Sequence, residues 1–114
     1  WISEVSEPLL AVTYEGNLLN LIDFEKNVLE FNSPITLNKG CTRWIDVCPN
    51  NQNLLAAVGF DKTIKIFDRR EAKITKIIEI DLRGYLFNVR WSPTGMQLVT
   101  AASDGKAQLI DFRA

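Results

Sequence analysis

Histidine is missing from all 114 residues. Its absence removes histidine-based general acid–base work, histidine metal ligation and the usual nucleophile–histidine triads. Cysteine is scarce, with only Cys41 and Cys48. On one extended segment these two would lie roughly 23 Å apart at ~3.3 Å per residue, on opposite faces, so they cannot pair with each other. Two unpaired thiols fit a reducing compartment, which places the protein inside the cell, in cytoplasm or nucleus. No apolar run approaches the ~20 residues of a membrane span, and no signal-peptide pattern stands at Trp1. Gly-rich phosphate loops, Cys-x-x-Cys pairs and metal-ligand clusters are all lacking, so no cofactor and no metal is expected. An excess of one charge is lacking too. Thirteen basic residues face 14 acidic ones, which argues against nucleic acid as a partner of this segment and against an anionic membrane.

What is present is an ordinary globular composition, 46% hydrophobic and 24% charged, with three tryptophans. The length is one domain's worth and could bury roughly two-thirds of the unfolded surface. Its main feature is a recurrence. Three β-rich runs close on an apolar residue followed by Asp: Leu21-Ile22-Asp23, Ile66-Phe67-Asp68 and Leu109-Ile110-Asp111, spaced 45 and 43 residues apart. Self-similarity near this period marks a repeat architecture.

The other strands follow from that frame. In the middle copy Arg43 to Cys48 runs into a Pro49-Asn50-Asn51 turn, and Leu54 to Val58 is a second strand rich in small residues. Gly59-Phe60-Asp61-Lys62 is a turn. Thr63 to Phe67 alternates apolar or β-branched residues with Lys65, the pattern of a half-buried strand. Ile74 to Ile80 interleaves Lys76 and Glu79 with isoleucines, as an outer strand does. The last copy repeats the order with Leu86 to Trp91, Leu98 to Ala102 and Ala107 to Ile110. In the first copy, Trp1 and Ile2 fall where strand one ends, followed by Leu9 to Thr13, Leu18 to Ile22 and Val28 to Phe31. No stretch supports a helix of three turns.

Four antiparallel strands per repeat is one propeller blade. The chain resembles the WD-repeat β-propeller family over nearly its whole length. The resemblance is carried by Trp91-Ser92-Pro93-Thr94-Gly95 with Leu98-Val99-Thr100-Ala101-Ala102-Ser103-Asp104-Gly105, and by Asp61-Lys62-Thr63-Ile64-Lys65-Ile66-Phe67-Asp68. It implies an all-β propeller segment of four-stranded antiparallel blades: blade one over 1–38 with its first strand mostly missing, blade two over 39–82, and blade three over 83–114 with its last strand missing. The strand count is three, four, three. A closed ring needs at least four blades, so the expectation is a segment of a larger propeller. Its remaining blades would come from the parent protein or a partner chain, and a self-assembling fragment is the alternative.

The chain departs from the family pattern. The signature Trp-Asp becomes Ile22-Asp23, Phe67-Asp68 and Ile110-Asp111, and Gly-His becomes Gly40-Cys41 and Gly84-Tyr85. The family's buried network of His, strand-two Ser/Thr, turn Asp and Trp therefore lacks two members. Asp61 and Asp104 are expected to cap their own turns, and the blades to depend more on apolar packing. In the first copy, Gly16 or Glu15 stands opposite Asp61.

The resemblance implies binding on the face that carries the turns between strands two and three and the lead-ins to strand one. Carried over by position, this rim holds Cys41, Arg43 and Phe60, then Tyr85, Phe87 and Ser103, and Tyr14 or Glu15 in the first copy. Aromatic and Arg residues on an exposed rim are typical of protein-binding hot spots, though Tyr85 and Phe87 could instead pack against the adjoining blade. Trp44 and Trp91 read as blade packing. Asp68 with Arg70, and Asp111 with Arg113, share an apolar-Asp-x-Arg form. The latter resembles the docking box of cullin-type ubiquitin-ligase substrate receptors, with a solvated local Asp–Arg pair as the plainer reading. The function expected is a non-catalytic protein–protein interaction scaffold with a protein or peptide partner. The alternatives are a propeller subunit of a ribonucleoprotein or chromatin complex, and such a substrate receptor.

Overall fold

In the computed structural model, the described backbone covers residues 2–6, 9–14, 18–23, 28–29, 35–36, 42–51, 53–81 and 84–112; side chains are described at 18–20, at 36 and from 42 onward within these ranges. Every regular element among them is a strand. The first sheet holds β1 (Ile2–Ser6), β2 (Leu9–Tyr14), β3 (Leu18–Asp23), β4 (Val28–Leu29) and β5 (Ile35–Thr36). The second holds β6 (Thr42–Val47), β7 (Leu54–Gly59), β8 (Thr63–Asp68) and β9 (Lys73–Glu79). The third holds β10 (Leu86–Trp91), β11 (Gln97–Ala102) and β12 (Ala107–Asp111). Consecutive strands are antiparallel neighbours in each sheet, except that β5 pairs with β3 rather than β4, and β1, β6 and β10 run side by side from sheet to sheet. This is the architecture of propeller blades around a common inner edge.

The recurring Asp occupies one register position three times. Asp23 lies opposite Leu9, Asp68 opposite Leu54 and Asp111 opposite Gln97, the first residue of the preceding strand in each sheet. The first sheet corrects the strand count. Alternation predicts only the end of a first strand at Trp1 and Ile2, yet Ile2, Ser3, Glu4 and Ser6 all pair with β2, so the first strand is present. Its pattern is hard to read because Ser3-Glu4-Val5-Ser6 is mostly polar and the register shifts between Glu4 and Ser6. The fourth strand, expected over Val28 to Phe31, is split. Both β4 and β5 pair with β3, and the two pairings differ in register by three residues: Ile22 lies opposite Leu29, Leu19 opposite Ile35.

Two apolar clusters join the sheets. Leu19 of the first sheet packs with Ile45, Leu55, Ala57 and Phe67 of the second. Ala56, Val58, Ile64 and Ile66 point the other way, onto Leu86, Val89, Trp91 and Leu98 of the third. Successive side chains of a strand alternate between faces, so β7 serves both clusters and needs apolar residues throughout. Its small Ala56 and Ala57 let both neighbouring sheets approach. From Ile64 to Asp68, β8 is likewise buried on both faces, Lys65 included, rather than half-buried. The third sheet is covered on one face only. Its other face shows Val99 opposite Leu109 and Ala101 opposite Ala107, with Val99 44% and Leu109 64% exposed.

The turn aspartates behave as expected. Asp61 Oδ1 accepts the Thr63 N–H at 3.3 Å, and Asp104 Oδ1 accepts the Lys106 N–H at 3.0 Å. Each is followed by a left-handed residue, Lys62 at φ 63° and Gly105 at φ 84°. A side chain in that region costs roughly 1 kcal/mol that glycine avoids. Lys62→Gly is therefore expected to raise the stability of the full chain by up to about that much, read as a higher denaturation midpoint, with the spectrum of the folded state unchanged. A midpoint that falls would mean the lysine side chain contributes more than its backbone strain costs.

Candidate functional site

Two β-bulges build the rim. In β6 the register passes from Thr42 opposite Gly59 to Trp44 opposite Val58, leaving Arg43 without an opposite residue. In β10 it passes from Leu86 opposite Ala102 to Asn88 opposite Ala101, leaving out Phe87. A bulged residue is released from the strict alternation of its strand and can be re-aimed. Here both turn onto the surface and meet. The Arg43 guanidinium lies over the Phe87 ring, 5.8 Å from its centroid.

The ladder continues. Tyr85 and Phe87 are edge-to-face at 5.0 Å, and Phe60, from the turn between β7 and β8, is edge-to-face with Tyr85 at 4.6 Å. Such pairs contribute about 0.5–1.5 kcal/mol each beyond burial. The alternative that Tyr85 and Phe87 pack across to a neighbouring blade is therefore also true: they reach residues of the second sheet. Phe60 and Phe87 stay accessible nonetheless, 47% and 38% exposed, and Arg43 is exposed, whereas Tyr85 between them is half-buried.

Ser103 fixes the middle of the ladder. Tyr85 N–H donates to Ser103 Oγ at 2.9 Å, and Ser103 N–H donates to the Tyr85 carbonyl at 2.8 Å. The first bond needs Gly84 beside it, because a Cβ there would stand 1.9 Å from Ser103 Oγ. The structure thus brings together five of the rim residues named from sequence: Arg43, Phe60, Tyr85, Phe87 and Ser103. Cys41 and the side chain of Tyr14 lie outside the described residues.

The opposite end of the sheets places the other named residues. Asp68 Oδ1 accepts the Arg70 N–H at 2.9 Å, and Arg70 Nη2 reaches Asp68 Oδ2 at 3.4 Å. Burial pulls the Asp68 carboxyl upward. The hydrogen bonds from the Arg70 side chain and backbone, its positive charge and the Glu71 N–H outweigh that, so the group ends below the ordinary carboxylate value. Asp68 and Arg70 thus form a local pair. Asp111 is exposed at the end of β12, and Arg113 lies outside the described residues. Between the second and third sheets at this end is an open cleft of about 840 Å³, lined by Cys48, Asn50, Thr94, Gly95 and Phe112 among others. Cys48 is a buried free thiol donating to Asn50 Oδ1 at 3.1 Å. Among the described residues no group of three or more Cys, Asp or Glu is placed to hold a metal ion.

Two polar constellations lie beyond what the sequence signals. Lys65 Nζ reaches Asp61 Oδ2 and Thr63 Oγ1 inside the second sheet. Asp46 ties the second sheet to the third: its Oδ2 accepts the Trp91 N–H at 2.9 Å, its backbone carbonyl accepts Trp91 Nε1–H at 3.1 Å, and Arg90 Nε lies 3.6 Å from Oδ2. Trp91 is buried edge-to-face on Phe112 at 5.1 Å, and Trp44 packs partly buried against the same cluster. Both tryptophans are packing residues.

The profile described as WD domain, G-beta repeat matches residues 33–68 and 80–111, more than half of the chain. The chain belongs to this family. WD repeat-containing protein AAC3 of Dictyostelium discoideum is 40% identical over 74 residues, covering 64% of this chain and 15% of that protein. Coronin-7 of Rattus norvegicus is 33% identical over 95 residues, covering 78% of this chain and 10% of that protein. THO complex subunit 3 of Arabidopsis thaliana is 28% identical over 78 residues, or 66% of this chain and 24% of that protein. The WD repeats described here thus span between a tenth and a quarter of these relatives. The crystal structure of the WD40 beta propeller domain of Doa1 superposes with a TM-score of 0.83 over 99% of this chain and 36% of that one. At 14% identity it establishes the fold: a segment of a WD-repeat β-propeller.

Proposed function

We propose that the chain is a non-catalytic scaffold whose rim takes a protein or peptide partner inside the cell. The observation that carries this is the ladder Phe60–Tyr85–Phe87–Arg43, assembled across two sheets at 4.6, 5.0 and 5.8 Å and exposed at Phe60, Phe87 and Arg43. Exposed aromatics and arginine held by backbone bonds are what binding hot spots need, and their rigidity limits the entropy lost on docking. By position Ser103 belongs to the same rim, as Cys41 and Tyr14 would.

The units 1–38, 39–82 and 83–114 act in this proposal as blades of a larger ring. The apolar face at Val99, Ala101, Ala107 and Leu109 then receives a further blade of the same protein, as the second sheet receives the third. The short span of the relatives covered here supports that. Further copies of the repeat in adjoining sequence are the check, and flanks without them remove the ring.

Phe60→Asp and Phe87→Asp in the full chain are expected to lose a co-purifying partner at least tenfold, since hot-spot truncations cost about 2 kcal/mol or more. Both residues are exposed, so thermal unfolding stays near that of the unsubstituted protein. Unchanged capture by both variants moves the site to the loops near Asn50 and Thr94. The finer alternatives draw less support. Asp68 and Arg70 close on each other rather than offering a docking pair. The Trp91–Arg90 neighbourhood does not offer bases a stacking face, because Trp91 is buried and Arg90 leans on Asp46.

A further inference from the structure

We propose that the rim recognises an acidic peptide, with a carboxylate side chain on Arg43 next to an apolar side chain on the rings of Phe60, Tyr85 and Phe87. This rests on the rim reading above and adds the chemistry of its partner.

The Arg43 charge is not paired with a carboxylate among the described residues. Its side chain is exposed and lies over the Phe87 ring. The other basic side chains near the sheet joint differ, since Arg90 is on Asp46, Arg70 on Asp68 and Lys65 on Asp61. Lys62, two residues after Phe60, is exposed and also forms no ion pair among the described residues. Two carboxylates of the turns beside the rim are engaged, and Glu79 and Asp81 stand exposed farther along the same end of the second sheet. Asp61 holds Lys65 Nζ and both Thr63 donors, and Asp104 caps the Lys106 N–H.

Geometry makes this guanidinium a receptor. At 5.8 Å from the ring centroid the guanidinium makes no hydrogen bond to Phe87, so its N–H fork is available to match a carboxylate with two parallel bonds. The bulge and the ring beneath hold it in place, so less freedom is lost than for a free arginine. A cationic side chain is disfavoured, because Arg43 already lies over Phe87 and would repel it. Beside the fork, the exposed Phe60 and Phe87 offer apolar surface within one or two residues' reach of an extended peptide.

The test is a selection from a random twelve-residue peptide display library on the immobilised full chain, run in parallel on Arg43→Met, Arg43→Lys and the double variant Phe60→Asp/Phe87→Asp. The unsubstituted chain is expected to enrich Asp or Glu beside Leu, Ile, Met or Phe. A synthetic copy of a selected peptide should bind Arg43→Met about tenfold more weakly, with partial recovery in Arg43→Lys, as suits a charge-assisted hydrogen bond. Its affinity should fall with added salt, and its Gln-for-Glu copy should bind the unsubstituted chain and Arg43→Met alike. Peptides that depend on the two phenylalanines but show no acidic enrichment, or a basic one, overturn the acidic assignment and leave the rim standing. Enrichment that survives in the double variant, or none at all, overturns the rim itself and the acidic assignment with it.

Discussion

Lys65→Met is expected to lower the stability of the full chain by about 3 kcal/mol, the cost of leaving one member of a buried ion pair without its partner. The lysine lies in a strand buried on both faces, and its Nζ closes on Asp61 and Thr63 where the turn between β7 and β8 begins. Methionine keeps the stem and its packing but removes the charge, so the change reports on the polar group. Asp61 then keeps only the Thr63 donors. The companion variant Asp61→Asn/Lys65→Met should recover most of the loss, because the uncompensated carboxylate disappears with its partner. Urea denaturation of the three proteins measures both numbers. A single-variant loss under half a kcal/mol would show the lysine to be effectively solvated. A double variant as unstable as the single one would show that the loss comes from packing.

The second large effect lies at the joint between the second and third sheets. Trp91→Ala should cost about 3–5 kcal/mol, since it empties a buried aromatic site and breaks the contact to Phe112. Trp91→Phe should cost only about 1 kcal/mol, because it keeps most of the ring and gives up the Nε1 donor to the Asp46 carbonyl. In both variants the backbone N–H still reaches the Asp46 carboxylate, 2.9 Å away. Stacked repeats are stable through their neighbours, so Trp91→Ala should also uncouple the third sheet. Hydrogen exchange of β10–β12 is expected to speed up before that of β7 and β8. Uniform acceleration across the three sheets would mean the joint is not where the chain opens.

The frame was legible where short-range chemistry repeats. The Asp closing each third strand, the capping aspartates and the small residues of β7 all follow from turn chemistry and period-2 alternation. The signals failed where alternation itself is broken. At Arg43 and Phe87 the bulges interrupt the period, so membership of a rim could be inferred from resemblance, whereas their contact could not. Ile2–Ser6 forms its strand through backbone pairing with little apolar patterning. Lys65 reads as a solvent-facing residue by composition, since nothing local announces that a neighbouring sheet covers it. Asp46 acts on a tryptophan 45 residues away, a distance at which no spacing rule operates. Polar groups that act between sheets were thus the least readable part, and those acting within one turn the most.

Arg43 and Phe87 also have a bearing on how such a molecule changes over generations. Because each bulge lifts its residue out of the strand's register, what stands there is answerable to neither apolar cluster. Mutation can try other side chains at these two places at the cost of a ring contact or two, while the same drift at the fully buried Val58 or Leu86 would be penalised far more heavily. Preference for a partner can therefore be rewritten position by position, and duplicated copies of one blade can come to serve different clients.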